Sequence, residues 1–153
     1  MAAVRFAHVN LIARDYRVLA AFYCDLFGCV PVPPERDYRA DWLARGTGVA
    51  GAQLAGVHLR LPGHDEPGGT APTLEIFQYS ELDERPPHAA NSTGFGHIAF
   101  VVDDVADMVA RVLARGGSVV GEPIEIAIAG AGTLLWQYVR DPEGNIIELQ
   151  TWS

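Results

Sequence analysis

The chain repeats itself. His8 opens the stretch HVNLIARDYRVLAAFYCDLFGCVPV and His97 opens HIAFVVDDVADMVARVLARGGSVVG, so at an offset of 89 residues His8 falls on His97, Asp15 on Asp104, Gly28 on Gly117 and Val30 on Val119. The ends of the two halves also correspond. Leu61-Pro62-Gly63 leads through a long loop into TLEIFQY, and Arg140-Asp141-Pro142-Glu143-Gly144-Asn145 leads directly into IIELQTW, which sets Glu75 on Glu148 at an offset of 73. Self-similarity of this kind means one supersecondary unit used twice. Each half reads as an alternating strand, an acidic helix start, an amphipathic helix, a glycine stop and more strand.

The patterning predicts strands at 4–12, 29–33, 54–61 and 73–79 around a helix at 15–27. In the second half it predicts strands at 95–102, 118–124, 133–140 and 145–152 around a helix at 104–116. The first half carries extra length, assigned to a short helix within 33–50 and to the turn-forming residues 62–72, read as an extended hairpin loop. The expected fold is α+β: two tandem βαβββ modules, 1–79 and 94–153, joined by the polar, proline-containing stretch 80–93 within one domain of 153 residues. Two such sheets, each covered by its helix on one face, are expected to pair around a cavity.

Strand parity puts four chemically active side chains on the faces turned away from the helices. Alternate residues of a strand point to opposite faces. Val9 and Leu11 then face the helix while Phe6, His8, Asn10 and Ile12 face the other way; Ile98, Phe100 and Val102 pack down and His97 does not. Leu74 and Ile76 pack down, leaving Thr73, Glu75, Phe77 and Tyr79 on the cavity side; Ile147 and Leu149 pack down, leaving Glu148 with Ile146 and Gln150. A carboxylate taken out of water costs several kcal/mol unless it is paired or bound to a cation. Two histidines and two glutamates at repeat-equivalent places therefore point to a metal set: His8, Glu75, His97 and Glu148. With no thiolate, that set suits Zn, Ni, Co, Mn or Fe.

Charge and composition exclude other chemistries. All eleven basic residues are arginines, so Schiff-base chemistry and a lysine-based phosphate loop are absent. A net charge of −8 argues against nucleic acid, whose affinity comes largely from basic contacts to phosphate. Arg5, His8 and Asn10 stand where the apolar core of a signal peptide would be, and no apolar run approaches 18 residues. A cytoplasmic protein with no membrane partner is expected. Cys24 and Cys29 form no CxxC motif and are expected as reduced thiols. His64 and His88 sit in proline-rich loops and are expected to be exposed.

TLEIFQY, GFGHIAFVVDD and YVRDPEGNIIELQ resemble the metal-site strands of the vicinal oxygen chelate superfamily, especially glyoxalase I and methylmalonyl-CoA epimerase. The resemblance covers nearly the whole chain, and its most specific part is the spaced His–Glu–His–Glu set. It implies a half-open mixed-sheet barrel around a metal cavity and one divalent ion: Ni, Co, Zn or Mn, or Fe in a dioxygenase. It implies a metal-dependent lyase or isomerase that abstracts a proton next to a carbonyl and stabilises an enediolate on the metal. By this resemblance Glu148 acts as base and Glu75 is its symmetric counterpart. The substrate is expected to be a small molecule with adjacent oxygen atoms, and the protein a homodimer. The superfamily also holds extradiol-type dioxygenases, which are similar at His8, His97 and Glu148, and drug-sequestering proteins of the bleomycin-resistance type. These are the alternatives.

Substrate recognition departs from both named enzymes. A glutathione-binding arginine of glyoxalase I aligns near Ile12 and its asparagine with Tyr79, while the epimerase's catalytic glutamate aligns near Gln53 or Leu54. The epimerase also usually carries glutamine at the place of Glu75. In GVHLRLP, His58 and Arg60 alternate with Val57, Leu59 and Leu61, which puts both polar residues on the cavity side. His58 is a candidate second acid or base, and Arg60 a candidate holder of a carboxylate or phosphate. Among the aromatics Trp42, Tyr79, Trp136, Tyr138 and Trp152, the candidate substrate-binding residues are Tyr79, Trp136 and Tyr138. Asp141–Asn145 is read as a tight turn.

Overall fold

The computed structural model describes residues 4–64 and 71–153. The chain divides into two compact units, residues 1–84 and 85–153, with the boundary inside the 80–93 stretch.

In the first unit the chain order is β1 (His8–Ile12), α1 (Tyr16–Phe27), β2 (Val30–Tyr38), α2 (Asp41–Thr47), β3 (Leu54–Arg60) and β4 (Thr73–Tyr79). Helix α1 begins because the Asp15 carboxylate accepts hydrogen bonds from the backbone N–H groups of Arg17 and Val18. It ends where Gly28 takes a left-handed φ of 67° that a side chain would resist. Its apolar stripe buries Tyr16, Leu19, Phe22, Tyr23, Leu26 and Phe27, and the helix packs on β3 and β4.

The sheet runs in the order β1-β4-β3-β2, with β1 and β4 parallel and the other pairs antiparallel. Leu59, Leu74 and Ile76, all fully buried, lie on its core face. Each such side chain stabilises by about 1.5–3 kcal/mol, so a one-residue slip that turned Glu75 inward would be strongly disfavoured. The hydrophobic register is therefore what holds Glu75 on the opposite face.

Two strand boundaries in this unit differ by several residues from expectation. The first strand is shorter, starting at His8 rather than residue 4. The second runs on to Tyr38 instead of stopping at 33, with a register shift between Val32 and Arg36. Pro31, Pro33 and Pro34 lack backbone N–H groups, but β2 is an edge strand, where that loss costs little. The helix expected within 33–50 is α2, whose Leu43 packs with Ala52 and Leu54 against Tyr38, Phe77 and Tyr79. The loop expected at 62–72 lies largely outside the described residues.

The second unit runs β5 (Ile98–Val101), α3 (Val105–Ala114), β6 (Ser118–Val119), β7 (Ile124–Ile128), β8 (Gly132–Arg140) and β9 (Ile146–Trp152). Asp104 caps α3 by accepting from the backbone N–H of Asp107. The helix buries Val105, Met108 and Val112 and packs on β8 and β9, whose inward residues include Val139, Ile147 and Leu149. The strand order is β5-β9-β8-β6, β5 and β9 parallel, with β7 also paired to β8.

The strand expected at 118–124 is instead two. Pro123 interrupts the ladder, and β6 and β7 pair with different stretches of β8. The Gln137 side-chain amide donates to the Gly121 carbonyl at 2.7 Å, bridging the break. Strand β7 then turns into β8 through Gly130 and Gly132, at φ of 80° and 111°. Strand β5 is shorter than the expected 95–102, so His97 stands one residue before it.

Candidate metal centre

In the first unit β4 is flanked by β1 and β3, and the register sets Asn10 and His58 directly beside Glu75. His8 Nε2 lies 3.3 Å from Glu75 Oε2, His58 Nε2 lies 3.0 Å from Oε1, and the Asn10 amide donates to Oε2 at 3.3 Å. The Glu75 side chain keeps only 11% of its exposure. Desolvation is the main force lowering the His58 pKa, the Arg36 and His8 charges add to it, and Glu75 opposes them. Edge-to-face contacts with the His8 and Phe77 rings fix the imidazole further.

The second unit repeats the theme with different neighbours. His97 Nε2 lies 3.0 Å from Glu148 Oε2, and the Glu148 side chain keeps 16% of its exposure. Beside Glu148 stand Ala99 on β5 and Tyr138 on β8. The Tyr138 ring packs against His97 at 5.0 Å between centroids and against Trp136 at 4.8 Å. Burial, then the Glu148 charge, push the Tyr138 phenol up from its ordinary pKa.

The parity reading thus places each histidine against the glutamate of its own unit. Donors sharing a metal at bonds of about 2.0–2.2 Å stand about 3 Å apart, so both Nε2–Oε2 separations suit a common ion as well as a hydrogen bond. Two imidazoles and two carboxylates form a donor set for a borderline divalent metal. Each unit presents a pair rather than a closed site: among the described residues no group of three or more His, Cys, Asp or Glu is arranged to hold a metal ion.

Arg60 follows His58 on the same face, opposite Thr73. Tyr79, a candidate substrate-binding residue, is partly buried and packs against the small cluster of Leu43, Ala52 and Leu54. Trp42 and Trp152 are about half exposed, at 50% and 43%. Asp141 accepts from the backbone N–H groups of Glu143 and Asn145, both at 2.9 Å, which makes 141–145 a turn. His64 is exposed, but His88 departs from expectation: its Nε2 is buried with no hydrogen-bond partner among the described residues. Arg140 donates to the His88 carbonyl at 2.7 Å.

Two residues that act on Glu75 or His58, Asn10 and Arg36, were given no role from sequence. Asn10 carried a signal, since it shares the parity of His8. Arg36 carried none, because the irregularity in β2 sets its facing.

Residues 5–149 match the family model of the glyoxalase/bleomycin resistance protein/dioxygenase superfamily. A lactoylglutathione lyase of Arabidopsis thaliana is 42% identical over 57 residues, 37% of this chain but only 19% of that protein. A 2-epi-5-epi-valiolone epimerase of Actinomyces is 28% identical over 151 residues, covering 96% of this chain and 79% of the relative. The crystal structure of a glyoxalase family protein from Bacillus cereus superposes with a TM-score of 0.79 at 17% identity, over 99% of this chain and 96% of the other. With the repeated His–Glu pairs, the two mixed sheets and a family match over nearly its full length, the chain belongs to the glyoxalase/bleomycin resistance protein/dioxygenase superfamily.

Proposed function

We propose that the protein is a divalent-metal-dependent lyase or isomerase whose ion is held by His8, Glu75, His97 and Glu148. The observation that carries this reading is the repetition of one His–Glu pair, at 3.3 and 3.0 Å, at equivalent places in both units. Two relatives are named as a lyase and an epimerase, which supports the choice of a lyase or isomerase.

When bound, the metal supplies a Lewis acid toward the negative charge that develops on the substrate's oxygens. The chain's own groups do the rest. Glu148 takes the proton from the carbon next to a carbonyl, and the electron pair of the broken C–H bond moves onto the carbonyl oxygen. Return of that proton to the former carbonyl carbon, while the hydroxyl on the first carbon gives its proton to the former carbonyl oxygen, completes an isomerisation. Glu75 occupies the equivalent place across the repeat, and His58 joins the set through Glu75. Arg60 holds an anionic group of the substrate, and Trp136 with Tyr138 offers a flat apolar wall. The proposed substrate is a small molecule with two adjacent oxygens, handled by a cytoplasmic homodimer.

Elemental analysis of protein purified without an affinity tag or chelator tests the metal set. The expected result is about one Ni, Co, Zn or Mn per chain, lost in His97→Ala. Assays with hemithioacetals, α-hydroxy ketones and acyl thioesters then test the reaction, and Glu148→Gln is expected to lower turnover by about 10²–10⁴-fold. Iron together with dioxygen consumption would favour ring cleavage. No metal uptake, even after reconstitution, would sink the enzymatic reading in favour of ligand sequestration.

A further inference from the structure

The repeat makes the two glutamates equivalent in position, but their surroundings break that equivalence. We propose that His58 and Asn10 are positioning residues which anchor Glu75 as the fixed carboxylate of the metal set, a role with no counterpart at Glu148. This inference rests on the metal reading given above.

The argument starts from register. Glu75 has one cross-strand neighbour on each side, Asn10 on β1 and His58 on β3, and both bring a donor to it. Glu148 has Ala99 and Tyr138 at the equivalent places. Alanine has no donor to offer, and Tyr138 lays its ring against His97.

The atoms at Glu75 are divided between its two oxygens. His58 Nε2 is at Oε1, 3.0 Å away, while His8 Nε2 and the Asn10 amide are both at Oε2, each at 3.3 Å. On its other side, His58 Nδ1 lies 3.4 Å from the Thr73 hydroxyl. With that hydroxyl donating to Nδ1, the ring proton sits on Nε2 and is given to Oε1. An imidazole that keeps only 18% of its side-chain exposure has little freedom to leave this arrangement. Oε1 is thereby occupied by a protein donor, which would leave Oε2, the oxygen beside His8, to a metal ion. Hydrogen-bonded partners of this kind orient a ligating carboxylate and tune its affinity for metal. His58 thus acts through Glu75 instead of exchanging a proton with the substrate.

The test uses Co²⁺ binding to the full metal-free chain, read by competition with a chelating dye and by the visible absorption of the bound ion. The variants are His58→Phe, His58→Gln, Asn10→Ala and, as the control across the repeat, Tyr138→Phe. The expected result is a roughly 10–100-fold loss of Co²⁺ affinity in His58→Phe with an altered absorption band. His58→Gln, whose amide can still donate to Oε1, is expected to recover most of that loss. Asn10→Ala is expected to lose less than His58→Phe, and Tyr138→Phe to bind as the parent does. Thermal melting of each metal-free variant separates a lost anchor from a lost fold. Should His58→Phe fail to fold, Asn10→Ala decides the matter, since Asn10 is exposed and its removal disturbs no core. Parent-like affinity and absorption in the folded anchor variants would overturn the inference while leaving the metal site standing. Absence of Co²⁺ uptake by the parent chain would overturn both.

Discussion

Cys29 and Glu75 are both nearly sealed from water, at 3% and 8% exposure, and the protein treats them in opposite ways. The carboxylate is surrounded by donors. The thiol is placed where its ionised form is penalised, and burial, with a smaller contribution from Cys24, pushes its pKa up to about 12. Nucleophilicity requires the thiolate, so Cys29 in the folded protein is expected to resist alkylation by iodoacetamide at pH 8, with labelling appearing on unfolding; mass spectrometry of the labelled peptides checks this. The sign of the pH effect follows. Between the ordinary thiol value of 9.0 and about 12 the unfolded chain loses this proton while the folded chain keeps it, so the Cys29 contribution to stability is complete below pH 9 and lost as pH rises through that window. Urea melts at pH 9 and 11 are expected to show a smaller alkaline loss in Cys29→Ala than in the parent. Side-chain direction was legible at such positions because alternation is a local property. Partner atoms were not: that His58 meets Glu75 depends on which residues of β3 and β4 stand opposite, and no short window of sequence carries that.

At the scale of elements, the two long helices were read from the sequence to within about two residues because their start signals lie in the chain itself. Asp15 satisfies two backbone N–H groups and Asp104 one. Asp15→Ala is therefore expected to destabilise by about 1 kcal/mol, and Asp104→Ala by less, in paired chemical-denaturation curves. The strands were harder. The alternation in Ile124-Glu125-Ile126-Ala127-Ile128 and the glycines that follow do announce a hairpin, but the expectation of one strand per repeat step absorbed its first residue into the preceding segment. Strand β2 misled in the opposite direction. Its prolines are strong local stop signals, and only its place at the sheet edge, which is decided by the whole unit, lets pairing with β3 continue to Tyr38.

On the scale of the whole molecule, the repeat was enough to expect an α+β chain with two mixed sheets, and the structure has them. Repetition transmits topology well, because a strand–helix–strand order survives substitution. It transmits function less well, because the residues that distinguish the halves, His58 against Tyr138 and Asn10 against Ala99, are the ones that do not repeat. An ion that binds the folded chain and not the unfolded one links binding to stability. Free metal at 100 times its dissociation constant is expected to stabilise the parent by about 2.7 kcal/mol, with no gain in His97→Ala. For a chain of this size that is a rise in melting temperature of about 5–11 °C, measured with metal and again after a chelator.

The parallel pairing of β1 with β4 also has a consequence for the order of assembly. His8 and Glu75 belong to the first and last strands of their unit, so they meet only after every intervening residue has been made. Synthesis at about 5–20 residues per second separates the two by several seconds, during which β1 has no partner in the sheet. Once Tyr79 has emerged, the ladder that holds Glu75 needs nothing further from the chain, and His97 and Glu148 are still to be translated. The His8–Glu75 pair of the first unit is therefore able to form before the corresponding pair of the second unit has been made.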